Sequence, residues 1–226
     1  MGSIIKVGHR GAAGYAPENT VAALERGIAL GADFLEIDLQ RTRDGRIVVM
    51  HDKYVDRTTN GHGRAADLTW QELRNLDAGE GQHVPLLEEM LEIAAGRAGL
   101  MLECISPGLG EELWRTVASS RFREPVIFAS FLHREILAIR ELDPEANTMA
   151  LIEGVPVRPT AFALEARVTH VGSALDSTTD SFVEALHAAH ISSFVYTADT
   201  TEQIGTALAL GVDGIISNFP DRLPNT

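Results

Sequence analysis

The chain has 226 residues, 45% of them hydrophobic, with 19 basic residues against 32 acidic ones and a formal net charge of −13. That length and apolar content fit one folded α/β domain and argue against a disordered chain, while the acidic balance lacks the basic face that a nucleic-acid binder needs. A single cysteine, Cys104, excludes an internal disulfide framework and agrees with a reducing compartment. The stretch ahead of His9 is too short for a secretory leader, and no apolar run approaches the ~18 residues that cross a bilayer. The expectation is a cytoplasmic protein with no stable membrane anchor, its oligomeric state left open.

In chain order, a first strand at 4–8 is followed by Pro17-Glu18-Asn19-Thr20, which caps a helix with Val21, Leu24, Ile28 and Leu30 apolar and Gly31 at its end. Strands at 34–40 and 47–51 flank Asp44-Gly45, a tight-turn signal, and the gap is too short for a crossover helix. Thr69 and Glu72 form a capping box, and Pro85 is read into the first turn of another helix. Further strands follow at 100–105, 126–131, 149–153, 170–174, 193–197 and 214–218, with Thr200-Thr201-Glu202-Gln203 opening the last helix. Strands alternating with helices predict parallel βαβ units. Of the nine strands, 47–51 is the antiparallel return of a hairpin. The eight that remain predict a single-domain (β/α)8 TIM barrel.

In such a barrel the chemistry gathers where the strands end. His9-Arg10 follow the first strand, and Glu36 and Asp38 share one face of the second at i, i+2. The hairpin returns His51-Asp52, and the next strand brings Glu103. Three acids this close need protons or a cation, and oxygen ligands favour Mg2+ or Ca2+, with zinc kept open by the histidines. His9 and His51 can serve as general acid and base, and Arg10 offers a fork of donors to a phosphate or else a rim salt bridge to Glu18 or Asp38. The set suits phosphoryl transfer on a small-molecule substrate better than acyl transfer or redox chemistry. The other histidines, His62, His83, His133, His170, His187 and His190, are read as structural. No Walker loop, dinucleotide fingerprint or nucleophile elbow is present.

These residues, together with Thr42-Arg43-Asp44-Gly45, Asp56-Arg57-Thr58-Thr59-Asn60-Gly61, Val84-Pro85-Leu86-Leu87-Glu88-Glu89 and Gly211-Val212-Asp213-Gly214-Ile215-Ile216-Ser217-Asn218, resemble the glycerophosphodiester phosphodiesterase family. The resemblance implies a small insertion at about 53–86, after the hairpin. It implies hydrolysis of glycerophosphodiesters to glycerol 3-phosphate and an alcohol, through a cyclic phosphate formed by the neighbouring glycerol hydroxyl. It gives Glu36, Asp38 and Glu103 to the metal, His9 and His51 to acid–base catalysis and Arg10 to the phosphate. Two positions depart from the family pattern. Its Glu-x-Lys motif reads Glu103-Cys104-Ile105 here, and Val195-Tyr196-Thr197 stands where a tryptophan is usual. Loss of such a donor can cost ~2.7–4 kcal/mol of barrier, and Lys53 is a candidate substitute. Ile105 therefore favours the alternative of a catalytically weak, phosphoester-binding barrel. An apolar rim of Phe131, Leu132, Phe162 and Tyr196 would favour a lysophospholipase D or a cyclising phospholipase.

Overall fold

The computed structural model describes residues 4–224. Its regular elements are β1 (Ile5–Gly8), α1 (Val21–Ala29), β2 (Phe34–Arg41), β3 (Ile47–Val49), α2 (Trp70–Arg74), α3 (Leu87–Ala94), β4 (Gly99–Cys104), α4 (Gly110–Ser119) and β5 (Val126–Ser130). They continue with α5 (His133–Leu142), β6 (Asn147–Ile152), α6 (Ala161–Glu165), β7 (His170–Ala174), α7 (Asp180–Ala188), β8 (Ser192–Tyr196), α8 (Thr201–Ala209) and β9 (Gly214–Ser217).

The parallel strands run β1-β9-β8-β7-β6-β5-β4-β2, and β2 pairs back onto β1 through Val7 with Phe34 and Gly8 with Leu35. That pairing closes the ring into the expected (β/α)8 barrel. β3 lies outside it, antiparallel to β2, with Leu39 opposite Val49. The hairpin between them turns at Gly45, whose φ of +78° is the left-handed conformation that glycine adopts without steric penalty.

Alternation along the strands sorts their side chains into layers. In β2, Leu35, Ile37 and Leu39 pack outward in a cluster with Leu24 of α1, Leu87 and Met90 of α3 and Leu113 of α4. Full burial of each such side chain stabilises the fold by about 1.5–3 kcal/mol. The lumen is filled by Val7, Met101, Ile127, Met149, Leu151, Phe194 and Ile216. Gly214 makes room for the largest of these, because a Cβ there would lie 2.1 Å from the Phe194 ring.

Between β3 and α3 the chain builds a small lobe, in which Val55, Ala65, Leu73, Ala78 and Val84 close over Val48 and Met50 of the hairpin return. The Thr69–Glu72 capping box forms as expected at the start of α2, and Thr200 with Gln203 caps α8 in the same way. Pro85 departs from its expected place. α3 has Leu86 at its N-cap, so Pro85 precedes the helix. There its carbonyl accepts from Val49 N–H, while Val48 and Leu86 form an antiparallel bridge. A proline needs no donor in such an extended segment, and its carbonyl is more useful to β3 than to a helix.

Candidate active site

Sequence periodicity put Glu36 and Asp38 on one face of β2, and the β2–β4 register brings Glu103 directly opposite Asp38. One oxygen from each of the three carboxylates lies within 4.8 Å of the others, with Glu36 and Asp38 buried. Burial above all, with the Asp38 and Glu103 charges added, raises the Glu36 carboxyl well above its ordinary range. Burial and then Asp38 push Glu103 up to about 8, against the opposing pull of Arg10. Such a cluster holds charge at high cost unless a cation joins it. Asp38 is fixed by Asn19, which donates to Oδ2 at 2.7 Å and accepts Asp38 N–H at 3.1 Å. Glu36 Oε2 accepts the Arg10 backbone N–H at 2.7 Å, whereas Glu36 Oε1 is buried with no hydrogen-bond partner. An unpartnered buried oxygen within an all-carboxylate donor set fits a hard divalent cation.

His9 follows β1, and its Nδ1 lies 2.8 Å from Asn218 Oδ1. The orientation of that amide is set by its other end, because Asn218 Nδ2 donates to Asp199 Oδ2 at 2.6 Å. The oxygen therefore faces His9, the imidazole carries its proton on Nδ1, and Nε2 faces inward, 4.0 Å from Glu36 Oε2. Burial, followed by the Arg10 charge, lowers the His9 pKa, so the ring is neutral near pH 7. His51 has the same arrangement on the other side, with Nδ1 2.7 Å from Asp52 Oδ1. Gln40, on the same inward face of β2 as Glu36 and Asp38, steadies that return by donating Nε2 to the carbonyls of Met50, His51 and Asp52 at 2.8, 3.0 and 2.7 Å.

Arg10 takes up both of the rim contacts expected of it. Nη1 donates to Glu18 Oε1 at 2.6 Å, and Nε lies 3.4 Å from Asp38 Oδ2 without a hydrogen bond. Beyond it Arg57, from the lobe, grips Asp52 through Nε and Nη2 at 2.6 and 2.9 Å, and Glu18 through Nη1 and Nη2 at 2.8 and 2.7 Å. One guanidinium thus ties the partner of His51 to the partner of Arg10. The residue types alone marked Glu18 as a partner of Arg10 but did not mark Gln40, Asn19, Asn218 or Asp199 for these roles. Arg57 and Asn218 stand in motifs that carried the family resemblance, which was the available signal.

His9, Arg10, Glu36, His51 and Glu103 all line one cavity of about 260 Å³ at the strand ends, whose far wall includes Phe131, Glu153 and Tyr196. The structure leaves three expected contributors outside it. Lys53 is exposed, Leu132 is absent from the lining, and Phe162 stacks on His133 with ring centroids 5.4 Å apart. Four of the histidines read as structural have hydrogen-bond partners, Asp56 for His62, Leu151 O for His133, Thr169 for His170 and Asp213 for His187.

Comparison with known proteins agrees with this geometry. Residues 9–222 match the model of the glycerophosphoryl diester phosphodiesterase family. The chain belongs to that family. Its members are phosphoric diester hydrolases, and a glycerophosphodiester phosphodiesterase of Caldanaerobacter subterraneus subsp. tengcongensis is 34% identical over 97% of this chain and 96% of its own length. One from Bacillus altitudinis is 34% identical over 95% and 94%. Among solved structures, an Oleispira antarctica phosphodiesterase in complex with the product sn-glycerol-3-phosphate superposes with a TM-score of 0.90 at 26% identity, covering 96% of this chain and 94% of that one. No helix among the described residues is long and apolar enough to cross a membrane.

Proposed function

We propose that this chain hydrolyses glycerophosphodiesters to glycerol 3-phosphate and an alcohol, with His9 as general base and His51 as general acid. Glu36, Asp38 and Glu103 hold a divalent cation, Mg2+ or Ca2+, and Arg10 binds the phosphate. The barrel and its insertion at about 53–86 act as one catalytic unit. The observation that carries this reading is the pair of imidazoles, each with Nδ1 held by an acceptor, lining the cavity that Arg10, Glu36 and Glu103 also line, with Asp38 beside those two acids. A cytoplasmic location belongs to the same reading and rests on the one, buried cysteine.

The bound cation would supply charge stabilisation for the phosphoryl oxygens. In the first step His9 Nε2 takes the proton of the glycerol 2-hydroxyl, whose oxygen attacks phosphorus. The bond to the alcohol breaks, and His51 returns a proton to the leaving oxygen. In the second step the roles reverse. His51 takes a proton from water as that water opens the cyclic phosphate, and His9 protonates the glycerol oxygen. A neutral His9 suits the base, since it can accept a proton from the outset. Arg10 must exchange part of its hold on Glu18 for the phosphate, and Arg57 keeps Glu18 paired when it does.

Release of glycerol 3-phosphate from glycerophosphocholine and glycerophosphoethanolamine, with Mg2+, Ca2+ and EDTA in parallel, tests the reading. Metal-dependent release is the expected result. Folded protein with no release under either metal would sink it and favour the phosphoester-binding barrel suggested by Ile105 and by the exposed position of Lys53. Release from lysophospholipids alone would favour the lipid-cleaving alternative.

A further inference from the structure

The cavity has two unlike halves. The residues that carry the proposed chemistry come from β1, β2, β4 and the hairpin return, whereas the opposite wall is built at the ends of β5, β6 and β8. There the rings of Phe131 and Tyr196 meet edge to face, with centroids 6.0 Å apart and planes at 85°. Tyr196 is held in place by its hydroxyl, which donates to Ile152 O at 2.8 Å. Glu153 is the next residue, and its backbone is held by Ser177 Oγ donating to its carbonyl at 2.5 Å. Its carboxylate is the one charged group on this half of the lining, and among the described residues no hydrogen bond or ion pair occupies it. No lysine or arginine lines this half, and the residue two after Glu103 is Ile105, which brings no positive charge to that side.

We propose that Phe131, Tyr196 and Glu153 form a subsite for a cationic leaving alcohol, an amino or quaternary-ammonium alcohol carried by the phosphodiester. The assignment rests on the phosphodiesterase reading above and narrows its substrate class. The chemistry is direct. A quaternary ammonium keeps its charge while presenting apolar methyl groups, so it is attracted to the faces of aromatic rings and to an unpaired carboxylate, and it forms no hydrogen bonds that the apolar wall would leave unmet. A neutral polyol of similar size gains nothing from the carboxylate charge and loses water against the rings. Tyr196 is well placed to feel Glu153, because burial first and then the Glu153 charge keep its hydroxyl protonated. The anionic phosphate and the cationic alcohol would then lie over opposite halves of one mouth.

Steady-state kinetics on glycerophosphocholine, glycerophosphoethanolamine and glycerophosphoglycerol provide the test, with metal present and at low ionic strength. The wild type is expected to favour the two cationic diesters. In Glu153→Gln the ratio of kcat/KM for glycerophosphocholine over glycerophosphoglycerol should fall about three- to tenfold, and Phe131→Leu should lower the same ratio. An unchanged ratio in both variants, or a wild type that prefers glycerophosphoglycerol, overturns the subsite. Titration of the protein with choline chloride, followed by the aromatic resonances in NMR, reads the subsite without turnover. Shifts in the wild type that vanish in Glu153→Gln support it, and their absence from the wild type counts against it. Folded protein that turns over none of the three diesters but shows the choline shifts would refute the phosphodiesterase reading and leave the cation subsite standing.

Discussion

At His9 a single hydrogen bond decides which nitrogen carries the proton. Asn218 can offer only its oxygen there, since its nitrogen is committed to Asp199. Asn218→Leu removes the acceptor and frees the ring to turn or to change tautomer. We expect kcat to fall by about 10–100-fold with KM little altered, as for other groups that orient a working imidazole. Restored activity in Asn218→Gln but not in Asn218→Leu would support an orienting role. The division of labour between imidazole and carboxylate can be separated in the same way. His9→Ala and Glu36→Ala should both abolish turnover, while only Glu36→Ala weakens Mg2+ or Ca2+ binding by calorimetry. Equal loss of metal from both variants would refute the assigned roles. The sequence exposed the proposed reacting residues because the i, i+2 rule and the strand ends put them on one rim. It did not expose Asn218 or Gln40 as supports, because side-chain contacts between separate elements leave no periodic trace.

The elements explain why those residues are held so firmly. β2 presents leucine and isoleucine to the helices and Glu36, Asp38 and Gln40 to the lumen, so one strand serves the core and the carboxylate cluster together. β3 adds nothing to the ring, yet it carries the chain back to His51 and supplies the floor of the lobe. The hairpin was legible from Asp44-Gly45, and the capped helices from Thr69 and Thr200. Pro85 misled because a proline before a helix and one in its first turn look alike until the strand partner is known. Packing inside the barrel makes its own prediction. Gly214→Ala would drive a methyl group into Phe194. Overpacking of this kind costs about 1–3 kcal/mol, a fall in Tm of roughly 2–4 °C per kcal/mol for a chain of this size. A Tm unchanged within 1 °C, set here as roughly the smallest resolvable shift, would mean that the ring moves aside freely.

For the molecule as a whole, the acidic charge is managed by a few shared cations. Burial works to raise the Glu18 carboxyl, but hydrogen bonds from Arg57 and the nearby Arg10 outweigh it and hold it at about 2, against a usual value of 4.5. Hydrogen bonds from Arg57 likewise lead the causes that hold Asp52 low. A depressed folded-state value means that the contribution is complete above pH 4.5 and is lost as the pH falls toward 2. Arg57→Gln should therefore reduce unfolding free energy by about 1 kcal/mol at pH 7, after allowance for the half-exposed guanidinium. The difference from wild type should shrink between pH 4.5 and 2, as read by urea titrations across that range. A difference constant with pH would place the effect in packing instead.

The bond between His9 and Asn218 joins residues 209 positions apart. The ribosome adds roughly 5–20 residues per second, so a nascent chain carries the proposed general base for roughly 10–40 seconds before the residue that orients it has been made. The ring closes over the same interval, since β1 must pair with β9, which is synthesised long after it. The proposed activity is thereby tied to synthesis of the segment that carries β9 and Asn218. A nascent polypeptide stalled before Asn218 would carry the three acids and both imidazoles and still lack the acceptor that orients His9, the base of the proposed reaction.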